Sequence, residues 1–494
     1  MIRQWFAALA VSFLALPATI EAAPEEADLR RHIEILASDD FQGRKPGTIG
    51  ELLAANYIAT QFSEAGLEPG YHGHFYQLIS LVERSEYRAT ASWSRNGERV
   101  QWGPGDFLAF GRTAEESLRD APVIFAGYAG AIGEAGRGLE RGDVEGAVVL
   151  VYNDTPPGDD NAPSFQQRRQ QLAQLGAAAV IGLVDADTSW DRTQGIFSRG
   201  RTALADTPMA AIEGALSFDA SARFLGVAGQ SPARLAIAAQ DASFTAMRLP
   251  IALDIDVGTA IRPFTGFNVV AHLPGSGETG ESVAILAHYD HFGICRPEGE
   301  RDRICNGAID NASGTAALIE TARALAQGER PVRDLIFVAT TAEELGLLGA
   351  RAFADDPSTP LNSIVAALNL DTIAIAPRGA PVGIVGRGYT TLDPIVDAVA
   401  GELGRAIDDR TDANAFVQRQ DGWALLEAGV PTIMAGGSFT DPEPLDAFLE
   451  GPYHGPDDDI DEPIELGGAL EDTLLHIALA RALADPVRFP APQR

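Results

Sequence analysis

From about residue 250 onward, uninterrupted apolar runs alternate with stretches whose apolar residues recur every three or four positions. The runs at 283–287, 335–339, 364–368, 382–385 and 432–434 lack the polar alternation of a half-exposed strand, so they read as strands buried on both faces. Segments 312–326, 392–403 and 469–483 carry helical spacing and fall between or after those strands. This order predicts an α/β fold with a mixed, mainly parallel sheet sandwiched by helices. Upstream, 27–37 and 50–65 also have helical spacing, with the polar turn Gln42-Gly43-Arg44-Lys45-Pro46-Gly47-Thr48 between them. From 75 to 100 the pattern becomes alternating and aromatic, the mark of strands. Residues 105–245 then read as a small α/β unit of their own, with apolar runs at 121–128, 146–152 and 177–183 and a helix at 164–175.

Length and charge narrow this picture. A single hydrophobic core stops growing near roughly 250–300 residues, so 494 residues call for at least two lobes or one domain with a large insertion. The expected division is a signal at 1–22, a first part of the main domain at 23–104, an insert at 105–245 and the main part at 246–494. With 46% hydrophobic and 21% charged residues the chain has the composition of a folded protein. The 37 Lys plus Arg against 69 Asp plus Glu give a formal net charge of −32. That balance repels a phosphate backbone and an anionic lipid surface alike, which excludes nucleic-acid and polybasic membrane-binding classes.

At the amino terminus, Arg3 precedes an apolar stretch at 5–16, then Pro17 and a small-residue exit ending Ala22-Ala23. The run is too short to span a bilayer, and the pattern is that of a secretory signal cleaved after Ala22. A periplasmic or secreted protein, free of membrane segments once the signal is removed, is the expectation. Export in turn favours a disulfide between the chain's two cysteines, Cys295 and Cys305, which flank a polar loop. Two cysteines cannot furnish a zinc site, so any metal must be held by His and carboxylates.

Such residues gather where the predicted strands end. In open α/β sheets ligands bind beyond the carboxyl ends of the strands. The first run ends in His288-Tyr289-Asp290-His291; Asn306-Gly307-Ala308-Ile309-Asp310 precedes a helix; later runs end in Glu343-Glu344 and Asn369-Leu370-Asp371; a late loop holds Tyr453-His454. Taken singly, Glu343-Glu344 is a solvated pair, Asp310 a helix cap and Asp371 a loop acid. Together, two imidazoles and three carboxylates with one shared give each of two ions three protein ligands and leave room for a water. Asp310 suits the shared position, and a non-ligating Glu343 suits proton transfer. Of the eight histidines, His32, His72, His74, His272 and His476 lack ligand-like surroundings and read as surface or capping residues, with His291 as a structural neighbour of the cluster.

These residues resemble the co-catalytic dizinc exopeptidases of the bacterial leucyl aminopeptidase and aminopeptidase S type, a family with glutamate carboxypeptidase and glutaminyl cyclase branches. The matching pieces are His288-Tyr289-Asp290-His291, Gly307 to Gly314, Ala342-Glu343-Glu344-Leu345-Gly346, Asn369-Leu370-Asp371 and Tyr453-His454, in that order. The likeness covers roughly 27–70 and 250–485, and 105–245 resembles the protease-associated domain that some members insert. The resemblance implies two zinc ions per chain: His288 and Asp371 on one, Glu344 and His454 on the other, Asp310 bridging both and Glu343 as general base. It further implies that Asp290 orients the His288 imidazole and that Tyr453 stabilises an oxyanion.

The chain departs from the family at Arg419-Gln420-Asp421-Gly422-Trp423, where many members carry an Arg-Ser-Asp-aromatic run. Arg419 can still reach a substrate carbonyl or carboxylate, but the side-chain preference is not legible there. The functional expectation is an exported zinc aminopeptidase acting on peptides. Its competitors are a carboxypeptidase for acidic C-terminal residues, which needs several Arg near the pocket with Arg419 and Arg387 as candidates, a glutaminyl cyclase, and a metal-stabilised binding ectodomain without turnover. The acidic run Asp457-Asp458-Asp459-Ile460-Asp461-Glu462 reads as mostly solvated surface.

Overall fold

The computed structural model describes residues 23–491 apart from 96–97, 104, 130–131, 133–138, 159–161, 242 and 462. The expected leader at 1–22 lies outside the described residues. No helix among the described residues is long and apolar enough to cross a membrane. The chain divides into two compact units, Met1–Gln77 with Phe267–Arg494, and Leu78–Gly266.

The first unit is built on four mutually parallel strands, in the spatial order Asp334–Thr340, Ser282–His288, Ile364–Asn369 and Thr432–Gly436. Antiparallel partners flank them: residues 269–273 pair with Asp334–Thr340, and Gly383–Val385 pairs with Thr432–Gly436. The sequence pattern follows from this arrangement. Val283, Ile285 and Ala287 face one buried layer with Leu335, Phe337 and Ala339, while Ala284 and Leu286 face the other with Ile336 and Val338. Both faces are covered, so every second residue that would otherwise be polar is apolar too. The first layer receives helices Glu26–Leu36, Ile49–Glu64, Gly314–Gln327, Asp393–Glu402 and Leu466–Ala484. The second receives Leu348–Asp355 and Gly422–Glu427. This is the mixed, mainly parallel sheet sandwiched by helices that the pattern predicts.

Two histidine assignments fail in this unit. His32 and His476 are fully buried, not surface residues. His32 is held by the Tyr57 hydroxyl at 2.6 Å and by Glu320 at 3.0 Å, and the His476 Nδ1 lies 2.8 Å from the Asp472 carbonyl. Both nitrogens of His32 are hydrogen-bonded, which makes its burial tolerable, and His476 is anchored through Nδ1.

The second unit carries its own run of strands. The carboxyl half of Glu115–Phe125 runs parallel to Val148–Tyr152, followed by Ala179–Leu183 and Ile212–Leu216, with Phe107–Gly111 antiparallel at the end. Its core is aromatic on one face, where Trp93 lies 5.3 Å from Trp102 and 5.0 Å from Phe224 between ring centres. Arg168, fully buried, donates to the carbonyls of Tyr128, Tyr152, Asn153 and Asp154 and so ties the loops at one end of this sheet.

Candidate metal centre

Parallel register brings the polar strand ends together. His288 lies opposite Thr340, and Leu286 is level with both Val338 and Asn369. Residues just beyond those positions, Asp290, Glu343, Glu344 and Asp371, therefore arrive at one edge of the sheet. Asp310 comes from the segment Ala308–Ser313 that leads into helix Gly314–Gln327. Gly307 precedes it at φ 58°, and a side chain there would lie 2.1 Å from the Asp310 carbonyl oxygen and 2.6 Å from the His291 ring. Only glycine fits both the left-handed backbone and the close approach. His454 enters after helix Pro442–Glu450.

The distances separate the cluster into two halves that share Asp310. His288 Nε2 lies 3.2 Å from Asp310 Oδ1 and 3.5 Å from Asp371 Oδ1. His454 Nε2 lies 3.3 Å from the other oxygen, Asp310 Oδ2, and 3.1 Å from Glu344 Oε2. His288, Asp310 and Asp371 form one group able to hold a metal ion, and His291, Asp310 and Glu344 a second. The His291 Nδ1 sits 2.7 Å from Glu344 Oε1, on the oxygen that His454 does not face. Asp290 is fully buried; its carboxylate accepts the Glu343 N–H at 3.0 Å and stays 3.8 Å from His288 Nδ1, which lies 3.3 Å from the Asp290 carbonyl.

Electrostatics sort the acids. Burial disfavours an ionised Asp310, but hydrogen bonding to His288 and His454 outweighs it and holds the carboxyl well below the usual range. Glu344 is lowered in the same way by His291 and His454. Desolvation dominates at Glu343 and raises it well above an ordinary glutamate, with Glu344, Asp421 and Asp371 adding repulsion. Burial also pushes Asp421 up to about 6. A cluster of hard-oxygen and imidazole donors with two histidines facing a single carboxylate from opposite sides matches the donor chemistry of borderline divalent ions.

Beside the cluster lies a cleft lined by His288, Asp310, Glu343 and Asp371 together with Phe416, Met434, Phe439, Leu445 and Leu449. Tyr453 and Arg419 also line it. Arg419 Nη2 donates to the Tyr453 hydroxyl at 3.3 Å, and its guanidinium lies 5.3 Å from the centre of the Phe416 ring. Gln420 points inward, bonding the Val417 carbonyl and the Gly422 N–H. Arg387 is paired with Asp397 at 2.9 Å. Cys295 and Cys305 form the expected disulfide. Its hairpin leans on the cluster: Cys305 Sγ is 3.5 Å from the His454 carbonyl, and the rings of Phe292 and His454 are 4.5 Å apart.

Three site neighbours escape a reading of the sequence. Asp458, inside an acidic run that reads as solvated, is buried at 1% exposure, and its carboxylate accepts the N–H groups of Ile309 and Asp310 at 2.8 and 3.0 Å. Asp421, fully buried, accepts from the Thr340 hydroxyl. Arg44, fully buried, donates to four backbone carbonyls, among them Tyr289 and Gly307. The Gly43-Arg44 pair beside a Pro-Gly turn is the local signal for the last, and the Arg419–Trp423 segment is that for Asp421; nothing local marks Asp458.

With this geometry in place, comparison with known proteins adds a family. Residues 268–477 match the model of peptidase family M28. A glutamate carboxypeptidase 2 homolog of Caenorhabditis elegans is 27% identical over 213 residues, covering 40% of this chain and 25% of that protein. Leupeptin-inactivating enzyme 1 of Streptomyces exfoliatus is 30% identical over 189 residues, covering 36% of this chain and 37% of the other. The chain thus spans well under two thirds of the length of these relatives. Among solved structures, an aminopeptidase from Aneurinibacillus sp. strain AM-1 superposes with a TM-score of 0.54 over 96% of this chain and 98% of that one, at 16% identity. At that identity the likeness is one of fold.

Proposed function

We propose, from the match of residues 268–477 to the model of peptidase family M28, that the chain is an exported aminopeptidase holding two zinc ions. The observation that carries this is the Asp310 carboxylate, whose two oxygens face two different imidazoles, His288 and His454, at 3.2 and 3.3 Å. His288 and Asp371 would hold one ion, Glu344 and His454 the other, with Asp310 between them. When bound, the ions polarise the scissile carbonyl and make a water nucleophilic at neutral pH.

Glu343 lies on the cleft wall with His288, Asp310 and Asp371 and is not part of either ligand group. It takes the proton of the attacking water and returns it to the leaving amine. Desolvation raises the Glu343 carboxyl, which makes it the stronger proton acceptor once ionised. Asp290 fixes the Glu343 backbone through its hydrogen bond to that N–H. Tyr453, with Arg419 on its hydroxyl, lines the same cleft and would donate to the oxyanion that forms on the carbonyl.

The remaining wall names the substrate class. Phe416, Met434, Phe439, Leu445 and Leu449 offer an apolar surface, which suits a leucine, methionine or phenylalanine side chain. A carboxypeptidase for acidic residues would need free guanidinium groups in the cleft. Arg387 is engaged by Asp397, which leaves Arg419 alone on the lining. The test is a comparison of leucyl peptides with a free amine, the same peptides N-blocked, and peptides ending in glutamate, each with and without chelator. Chelator-sensitive cleavage of the free-amine peptide alone is the expected result, and cleavage of the blocked peptide from its carboxyl end would refute it.

A further inference from the structure

The segment that carries Asp310 is held by two buried charges from remote parts of the chain. From the carbonyl end, Arg44 donates through Nη1 to the Asn306 carbonyl at 2.6 Å and through Nη2 to the Gly307 carbonyl at 2.9 Å. The same guanidinium donates from Nε to the Tyr289 carbonyl at 2.6 Å and from Nη1 to the Leu36 carbonyl at 2.6 Å. It therefore ties the His288–Asp290 turn, the Asn306–Gly307 turn and the end of helix Glu26–Leu36 to one point. From the amide end, Asp458 receives the N–H groups of Ile309 and Asp310 on its two carboxylate oxygens and that of Ala308 on its carbonyl at 3.1 Å. Over residues 306–310, two consecutive carbonyls and three consecutive amides are thus all engaged.

These two side chains are hard to replace. A carboxylate accepts from two adjacent amides at once, whereas an asparagine has one acceptor oxygen. A guanidinium spreads five donors in a rigid fork over separate backbone segments, whereas a lysine offers three donors from one atom. Burying such charges is costly in desolvation, so two of them on a five-residue segment point to a need for placement. Asp310 has that need: its oxygens reach imidazoles on opposite sides at 3.2 and 3.3 Å, and a shift of about 0.5 Å is enough to spoil a preorganised site.

We infer that Arg44 and Asp458 are positioning residues of the metal centre, holding the carbonyls and the amides of 306–310 so that Asp310 serves two ligand sets at once. The inference deepens the two-ion reading and rests on it. The prediction concerns affinity for metal as well as activity. Loss of partners that orient ligands typically weakens metal binding by about 10- to 100-fold, and loosening a shared ligand weakens both halves of the site.

The experiment compares Asp458→Asn and Arg44→Lys with the unmodified full chain and with Arg333→Lys. Arg333 is a control of the same kind, buried at 1% exposure and bonded to the Leu483 and Phe489 carbonyls and to Glu281. Zinc stoichiometry and affinity are read by competition with a chromophoric chelator, and the melting temperature of each metal-free protein is read alongside. Asp458→Asn and Arg44→Lys are expected to bind zinc at least 10-fold more weakly, while Arg333→Lys melts earlier and binds zinc like the unmodified chain. Variants at 44 and 458 that melt earlier yet keep full zinc affinity would overturn the inference. Should Asp458→Asn fail to fold, Arg44→Lys decides alone. An unmodified chain holding one ion refutes the two-ion reading, and the affinity comparison at that ion still decides the positioning role; a chain binding no zinc overturns both.

Discussion

Glu51 offers a test of the fold's electrostatics away from the metal ligands. It sits fully buried on helix Ile49–Glu64. Its carboxylate accepts from Gly47 N at 2.6 Å, Phe267 N at 3.1 Å and the Thr341 hydroxyl at 2.6 Å. Those three donors favour the ionised form, but burial outweighs them and pushes the carboxyl up to about 7 from an ordinary 4.5. A folded-state value above the unfolded one means that the folded chain binds the proton more tightly. The stability this supplies is full below the unfolded value and is lost as pH rises through the folded one. Two and a half units at about 1.4 kcal/mol each bound the effect near 3 kcal/mol, of which roughly 2.5 kcal/mol falls between pH 5 and pH 8. Glu51→Gln is neutral throughout. It loses one acceptor at every pH, costing about 1–3 kcal/mol, and it removes the slope. The gap in melting temperature between variant and unmodified protein, both metal-free, should therefore move by roughly 4 °C in favour of the variant from pH 5 to pH 8 for a unit of about 300 residues. Other titrating groups cancel in that difference. A gap that is the same at both pH values would refute the assignment of burial as the dominant cause.

Glu343→Gln should retain the metal content of the unmodified chain while kcat falls by about 10²-fold or more; metal analysis and steady-state kinetics on one preparation check both halves. Asp310→Ala should lose both zinc ions and Asp371→Ala one, read by elemental analysis after dialysis, because Asp310 alone stands between the two imidazoles. Leucyl and phenylalanyl substrates should exceed alanyl ones in kcat/KM by about 10-fold or more, and Leu449→Asp, on the apolar wall, should erase that preference. Replacing both Cys295 and Cys305 by Ser opens a loop of sequence separation 10 and should destabilise by about 2–3 kcal/mol in chemical unfolding, with weaker zinc binding if the hairpin supports His454.

The strands and ligand candidates were legible because their signals are local. An apolar run such as Val283 to Ala287 ending in His288 carries its burial and its polar terminus within seven residues, and all five proposed ligands follow such runs or short motifs. What escaped depends on partners far along the chain. His32 reads as a surface residue because nothing near it announces Glu320, 288 positions away. Asp458 reads as part of a solvated acidic run because the amides it caps, at Ile309 and Asp310, lie 149 and 148 positions earlier. His291 closes a motif, yet its contact with Glu344 depends on a turn from the neighbouring strand. Periodicity reports which face is buried; it says nothing of which polar group a fold delivers to that face from elsewhere.

The same contacts explain how an acid-rich chain tolerates its densest knot of buried acid. Asp290, Asp310, Asp371, Asp421 and Asp458 are each at most 8% exposed, and Glu343 and Glu344 stand among them. Unpaired, such a group is expensive to bury, and neighbours of like sign raise the cost further. Two kinds of cation meet that cost. Arg44 is permanent: its charged neighbours are Asp458, Asp290, Asp310 and Glu344, and four of its five donors are taken by backbone carbonyls. On the cleft side the proposed ions would be exchangeable and open to substrate. A fixed cation in that position would occupy the ligand oxygens and close the site, and an exchangeable one in place of Arg44 would leave the ligand loops unheld whenever metal departs. Backbone geometry assigned to the guanidinium and reactivity assigned to the metal is therefore the division that keeps the acids both in place and available.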